Sequence, residues 1–183
     1  MLKAHIKLVD HKAYRGDVRA FFGGMRGGVK VGVFGSEGDS QKSGPSDAQG
    51  NPTPPAPGAL TVAQIASFHE FGLGVPERSF IRSYFDANRG ALVDYAIFLM
   101  RRAVAKAIKS GRLINDADRK RVLSTLGLRM VRDIKERIVE KVIYQNLAES
   151  TLAQKTRGGK VGNTALVDTS QLLNSIHWAR LRE

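Results

Sequence analysis

The sequence predicts an α+β fold in which a small antiparallel sheet packs against a long antiparallel helix pair. Apolar residues alternate with polar ones near the N-terminus and again over residues 29–34, which is typical of strands. Two long segments further along carry apolar residues every three or four positions, which is typical of helices with one buried face. We expect a single domain over residues 1–183, interrupted by a long polar loop insertion at residues 35–59.

The alternation begins at Leu2 and predicts a first strand over residues 2–9. A second strand is predicted over residues 29–34, after the pair Gly27-Gly28, and a short helix over residues 16–22 between them. Because two strands alone are only marginally stable, we expect further strands or a neighbouring subunit to complete the sheet.

The insertion at residues 35–59 differs in composition from the rest of the chain. It is rich in Gly, Ser, Asp, Gln and Asn, and it holds five of the six prolines. Such a segment buries too little apolar surface to offset the entropy lost on ordering. We therefore expect a structureless loop that is mobile in an isolated subunit and ordered only in an assembly.

Capping signals delimit the first predicted helix. Thr61 is a suitable N-cap for a helix over residues 62–71, and Gly72 is a suitable residue to end it. A turn follows over residues 75–78, centred on Pro76.

The helix pair follows this turn. Its first helix is predicted to begin near Ser79 or Ser83, to run to Lys109 and to be ended by Gly111. Its second helix is predicted to be capped by Asn115 or Asp116. The two segments are joined by a short connection, which favours an antiparallel pair.

The C-terminal part predicts a short helix and a closing strand. Asp168 or Thr169 can cap a segment containing Leu172, Leu173 and Ile176, and residues 177–181 can form the strand.

The net charge is +12, and most of the excess lies in one region. Residues 101–160 contain 16 basic and six acidic residues. A concentrated positive field favours polyanions or an acidic protein surface. The alternative is an ordinary solvated tip of a helical hairpin. The residues predicted to contact DNA or an acidic partner are Arg101, Arg102, Lys106, Lys109, Arg112, Arg119, Lys120 and Arg121.

The sequence offers no complete catalytic constellation. The chain has no cysteine, and its glycine-rich stretch lacks the Gly-Lys-Ser/Thr that a phosphate loop requires. His69-Glu70 lacks the second histidine, one helical turn on, of a zinc motif. No apolar run approaches the roughly 18 residues of a membrane span. We predict that the chain is not an enzyme, binds no metal or cofactor and does not enter a membrane.

Two blocks of sequence carry a resemblance to a known family. The first is residues 63–72 followed by 75–82, which reads A-Q-I-A-S-F-H-E-F-G and then V-P-E-R-S-F-I-R. The second is residues 147–155 followed by 165–176, which ends A-L-V-D-T-S-Q-L-L-N-S-I. In this order, flanking two helices, the blocks resemble the neck, tail-completion and virion-morphogenesis (minor tail) proteins of tailed bacteriophages. Ser79 and Ser170 stand where that family often has proline and glycine.

The resemblance implies a structural virion protein at the head–tail junction, assembled in the host cytoplasm. It would form a homo-oligomeric ring, six- or twelve-fold, that joins the connector to the tail and surrounds the DNA channel. Its partners would be connector or head-closure proteins, tail terminator or tail-tube proteins, and passing double-stranded DNA. The alternative is a small basic protein that binds nucleic acid non-specifically.

The resembling blocks also suggest a subunit interface. Phe80 lies between Arg78 and Arg82, an arrangement that could present an anchor with two cations to a neighbour. The predicted interface or its direct support consists of His69, Glu70, Phe71, Pro76, Arg78, Phe80, Arg82, Asp168, Thr169 and Leu172.

Overall fold

A computed structural model describes residues 28–35, 39–41, 54–140 and 171–181. The expected first strand at residues 2–9 and the short helix at residues 16–22 lie outside these residues. Over the described part the elements are β1 (Val29–Val33), α1 (Val62–Phe71), α2 (Arg82–Lys109), α3 (Asp116–Val139), α4 (Gln171–Ser175) and β2 (Ile176–Arg180).

The α+β prediction is confirmed. Strands β1 and β2 form a two-stranded antiparallel sheet, and α2 and α3 form the long helix pair. Gly28 lies at one end of the sheet, where its carbonyl accepts a hydrogen bond from the Leu181 N–H at 2.9 Å. A β-carbon at Gly28 would come within 2.8 Å of the Leu181 side chain, so the close approach requires glycine or a shift of that side chain.

The capping signals place α1 as expected. The Thr61 side chain accepts a hydrogen bond from the Gln64 N–H, and the Gln64 side chain accepts one from the Thr61 N–H. This reciprocal pair satisfies two of the N–H groups that a helix start leaves without partners. Gly72 ends the helix with a φ of 69°, in the left-handed region that glycine adopts without strain.

The helix pair is antiparallel by its contacts. Tyr84, near the start of α2, donates a hydrogen bond to Asp133 near the end of α3. Arg112, just after α2, pairs with Asp118 in the first turn of α3. Gly111, with a φ of 60°, lies in the connection as the sequence predicts.

The chain divides into two compact units. In the described part, one comprises residues 28–30, 89–127 and 179–181, and the other comprises residues 31–35, 39–41, 54–88, 128–140 and 171–178. The prediction of a single domain stays a prediction. The buried apolar residues of the first unit are Leu92, Ala107, Ile114, Val122 and Leu123, and those of the second are Val62, Ala66, Phe80, Tyr84, Met130, Ile134, Ile138, Leu172 and Ile176.

The described part of the insertion is tied to α1. The Ser40 carbonyl accepts a hydrogen bond from the Val62 N–H at 2.9 Å, and Gln41 pairs with Thr61 as an isolated antiparallel bridge. The Gln171 side chain donates to the Gln41 carbonyl at 2.9 Å. These residues are therefore not structureless, although the composition of the insertion predicted that they would be. Ordering of the insertion on assembly stays a prediction.

Within the described residues, no helix is long and apolar enough to cross a membrane.

Candidate functional site

The most strongly bonded feature of the first resembling block is the Glu70 carboxylate, on the last turn of α1. One oxygen accepts hydrogen bonds from the Phe80 N–H at 2.9 Å and the Ile81 N–H at 3.1 Å. The other accepts from the Ser79 hydroxyl at 2.8 Å and the Arg82 N–H at 2.7 Å. Glu70 itself is buried. Four donors therefore surround one buried carboxylate, which is the arrangement that makes a buried charge tolerable.

These bonds cap α2 from another helix. The first N–H groups of a helix lack intrahelical acceptors and carry partial positive charge, so a carboxylate there is favourable. Ser79 adds a second cap, because its hydroxyl accepts a hydrogen bond from the Ser83 N–H at 3.1 Å. The end of α1 and the start of α2 are thereby locked together within one unit.

The turn between the two helices is fixed by backbone hydrogen bonds. The Leu73 N–H donates to the Phe68 carbonyl at 2.9 Å, and the Arg78 N–H donates to the His69 carbonyl at 2.7 Å. Gly72 packs against Glu77, since an added β-carbon would lie 3.1 Å from the Glu77 β-carbon. These bonds hold residues 69–82 in a rigid turn between α1 and α2, which we call the corner.

The structure corrects the expected role of Phe80. Its side chain is 0% exposed, so it is not presented to a neighbour as an anchor. The physical reason is that Glu70 binds the Phe80 and Ile81 N–H groups, which draws this segment against α1 and turns the ring into the core. Arg78, the expected first flanking cation, is also buried.

A different set of side chains faces outward from the corner. Phe71 is 58% exposed and Leu73 is 55% exposed. The Arg82 guanidinium lies 5.8 Å from the centre of the Phe71 ring and forms an ion pair with Glu77. Pro76, in the same turn, is also exposed. We call Phe71, Leu73, Pro76 and Arg82 the corner surface.

The remaining predicted interface residues fall into two groups. His69 is half-buried, and Leu172 is buried in α4, which packs against α1. Leu172 is therefore buried within its own chain, on a helix that supports α1, and its predicted part in an interface or its direct support stays a prediction. Asp168 and Thr169 lie outside the described residues.

Tyr84 links the start of α2 to α3 through a buried hydroxyl. It donates to Asp133 at 3.2 Å, and Asp133 is also paired with Arg132 at 2.9 Å and Arg129 at 3.4 Å. Burial, and then the negative charge and hydrogen bond of Asp133, raise the pKa of Tyr84 to about 12. No sequence pattern predicts this network, because Tyr84 and Asp133 are 49 positions apart.

At the opposite end of the helix pair, Arg112 has a structural role. Its guanidinium donates to Asp118 through both terminal nitrogens, at 2.6 and 2.8 Å, and Asp118 also accepts from the Asn115 N–H at 3.1 Å. Asn115 in turn accepts from the Asp118 N–H at 3.2 Å, so Asn115 is the N-cap of α3. The hydrogen bond from Arg112 holds the pKa of the buried Asp118 carboxyl below its usual range. Arg112 is therefore committed to the fold and is not a free cation for a partner.

Three further predicted cations are partly neutralised. Arg119 and Lys120 each lie 2.7 Å from the exposed Asp116, and Arg121 lies 3.7 Å from Asp118. The hydrogen bond from Lys120, together with that from Arg119, lowers the pKa of Asp116.

The other four cations of the prediction are on the last turns of α2. Arg101, Arg102, Lys106 and Lys109 are all exposed. None of them forms an ion pair with another residue of the described part. We call these four the cationic row, and they are the predicted contacts that remain available.

Among the residues that the structure describes, no group of three or more histidine and acidic side chains could hold a metal ion.

No family model, no curated protein and no solved structure matches the chain.

Proposed function

We propose that the chain is a structural virion protein of a tailed phage, which forms a homo-oligomeric ring of the neck or tail-completion type around the DNA channel. The observation that carries the proposal is the ordered pair of blocks, residues 63–82 and 147–176, on either side of a long helix pair.

The corner supports this proposal by its chemistry. In the first block, Glu70 and Arg82 match the phage family, whereas Ser79 stands where that family often has proline. The Glu70 carboxylate builds the corner by accepting hydrogen bonds from the Ser79 hydroxyl and the Arg82 N–H. A rigid corner with exposed Phe71 and Leu73 loses little conformational entropy when a neighbour covers it. We therefore place one side of the subunit contact at the corner surface.

The cationic row supports the part of the proposal that concerns a DNA channel. A ring that lets duplex DNA pass needs positive charge without base recognition, because phosphate contacts carry no sequence information. Four exposed cations on one helix end, without ion pairs in the described part, fit that requirement.

The ring is tested by particle size and shape. The purified full chain is examined by light scattering after size exclusion and by negative-stain electron microscopy, beside the double variant Phe71→Ser/Leu73→Ser. Closed rings in the wild type that the double variant loses, with unchanged thermal unfolding, would support the proposal. Leu128→Ser, at an exposed leucine of α3, is the matched control and should keep the rings. A wild-type chain without rings at any concentration would overturn the ring. Rings that persist in the double variant would overturn the placement of the subunit contact at the corner surface.

The second candidate function is non-specific DNA binding, which the cationic row favours on its own. The two candidates differ in what assembles. A DNA binder without ring formation should bind duplex as a small oligomer with a steep loss of affinity as salt is added, whereas a ring should form in the absence of DNA.

A further inference from the structure

The outer face of α2 carries exposed apolar residues that no described contact of the chain covers. Many residues between 89 and 109 are exposed, and six of them share one face: Gly90, Asp94, Ile97, Phe98, Arg101 and Ala105. With 3.6 residues per turn, these positions lie within about 100° of one another around the helix axis. Leu92 and Ala107, which are buried, lie on the opposite side.

This outer face is apolar as well as exposed. Phe98 is 54% exposed and Ile97 is 37% exposed, and their neighbours Val93 and Ile108 are 53% and 47% exposed. The Phe98 ring stacks on Tyr95, with centroids 6.2 Å apart, so its orientation is held. A helix with apolar residues on both faces is normally covered on both faces.

The charged and small residues along this face are placed symmetrically about one point, which indicates that a second copy of the same face covers it. The point between Ile97 and Phe98 is equidistant from Asp94 and Arg101, and also from Gly90 and Ala105. When two copies of the helix are placed antiparallel with this point in common, Asp94 of each copy lies opposite Arg101 of the other.

We infer that two copies of the chain pair through α2, antiparallel, about a two-fold axis between Ile97 and Phe98. Asp94 of each copy then faces Arg101 of the other, which gives two ion pairs in each dimer. Neither residue has an ion pair within the described part of its own chain.

The flanking and central residues suit the same pairing. Gly90 of one copy faces Ala105 of the other, and small residues there let two helix backbones approach closely. A β-carbon at Gly90 would meet nothing within 4 Å, so the space above it is open in the single chain. Ile97 and Phe98 fill the centre, where the buried core of an interface is richest in apolar groups.

This contact does not rest on the proposed function. A two-fold contact uses the same patch on both copies and closes at a dimer, whereas a cyclic ring needs two different patches. It also uses a different surface from the corner surface. It assigns Arg101 an acidic partner, Asp94 of a second copy, and leaves the other cations of the row to DNA. A single helix pair is smaller than the interfaces of stable complexes, about 1,200–2,000 Å², so we expect a weak, reversible dimer.

The first test reverses the charges. Sedimentation equilibrium of the full chain is compared for Asp94→Arg, Arg101→Asp and the double variant that carries both. Each single change sets like charges against each other at two places, so we expect a dissociation constant raised by about tenfold or more. The double variant should dimerise like the wild type, and an equal mixture of the two single variants should form heterodimers. Arg89→Asp, with the same charge change on an exposed residue away from the face, is the control and should not alter the constant.

The second test distinguishes two-fold pairing from head-to-tail association. Because the chain has no cysteine, a single introduced cysteine is a clean reporter. Ile97→Cys lies at the axis and should cross-link to itself in the dimer with a short thiol-reactive linker. Ala105→Cys should not, because at 1.5 Å per residue the two copies of position 105 are about 22 Å apart.

The outcomes decide the inference in either direction. Loss of the dimer in both single variants, with its recovery in the double variant and in the mixture, would establish the pairing, whether or not rings form. A monomeric wild type, dimers indifferent to both charges, or failure of Ile97→Cys to cross-link would overturn it and leave the proposed ring untouched.

Discussion

The corner and the cationic row are both rich in charged residues, but they use charge in opposite ways. At the corner, buried Glu70 is surrounded by four donors, and its charge holds two helices together. In the cationic row, Arg102, Lys106 and Lys109 extend into solvent and bond to no described carboxylate. Charge that is bonded within the chain stabilises the fold, whereas charge left exposed is available to partners. The first should therefore be costly to change and the second should not.

The largest effect should come from Phe80→Ala. The side chain is 0% exposed, so its removal leaves a cavity in the core and should lower the free energy of unfolding by about 3–5 kcal/mol. Phe71→Ala, on the corner surface nine residues earlier, should change it by no more than about 0.5 kcal/mol. Urea unfolding of both variants measures the difference. Equal losses of unfolding free energy in the two variants would contradict the assignment of Phe80 to the core and Phe71 to the surface.

Glu70→Gln should have the next largest effect. Each carboxylate oxygen accepts two hydrogen bonds, so an amide nitrogen in place of either oxygen would face two donors. We expect a loss of about 2–3 kcal/mol in unfolding free energy. Glu77→Gln, on an exposed side chain paired with Arg82, is the control and should cost less than about 1 kcal/mol. If Glu70→Gln unfolds like the control, the carboxylate does not cap α2.

Much of the fold was predictable because its signals are local. Thr61, Gly72, Gly111 and the Asn115–Asp116 pair mark helix ends by chemistry that acts within a few residues, and each lies at the boundary expected of it. The strand at residues 29–33 and the two long helices were predicted from periodicity, whereas the pairing of that strand with β2 joins residues far apart in the chain and was not predicted.

The candidate site was less predictable because it depends on distant partners. The Phe80 and Ile81 N–H groups donate hydrogen bonds to Glu70, which reverses the expected exposure of the Phe80 ring. No pattern of apolar residues encodes these bonds. Arg112 looked like one more exposed cation until its pairing with Asp118 showed it to be structural. Unlike the contacts of Glu70, this pair joins residues only six positions apart, so its members could be recognised as candidates from the sequence.

Asp118→Asn should have a smaller effect, about 1–2 kcal/mol at neutral pH, because it weakens the paired Arg112 contact and the bond from Asn115. The pKa of Asp118 is lowered in the folded state, so its stabilisation is present above the ordinary aspartate pKa. As the pH falls through the lowered pKa, this stabilisation is lost. The difference between wild type and variant in unfolding free energy should therefore shrink in acid. Asp116→Asn, on an exposed carboxylate, should show a smaller difference, and a pH-independent difference at Asp118 would contradict the assignment.

The smallest effect on stability, with the clearest effect on binding, is expected for the triple variant Arg102→Glu/Lys106→Glu/Lys109→Glu. These side chains are exposed and bond to no described carboxylate, so the unfolding free energy should change by no more than about 0.5 kcal/mol. If they contact duplex phosphates, affinity should fall for all sequences alike. Affinity falls as salt is added, and the steepness of log affinity against log salt should decrease by about 2–3 in this variant. Each phosphate contact that is lost removes about 0.9 from that steepness.

The matched control for that variant carries the same charge change elsewhere. Reversing Arg89, Lys135 and Arg180 to glutamate lowers the net charge equally but leaves the cationic row intact. Fluorescence anisotropy with a labelled duplex, over a salt series, compares the two triple variants with the wild type. A salt slope lowered only in the cationic-row variant locates the contact on the end of α2. Equal losses in both variants would mean that DNA responds to net charge alone, and the contrast between corner and row would then hold for folding but not for binding.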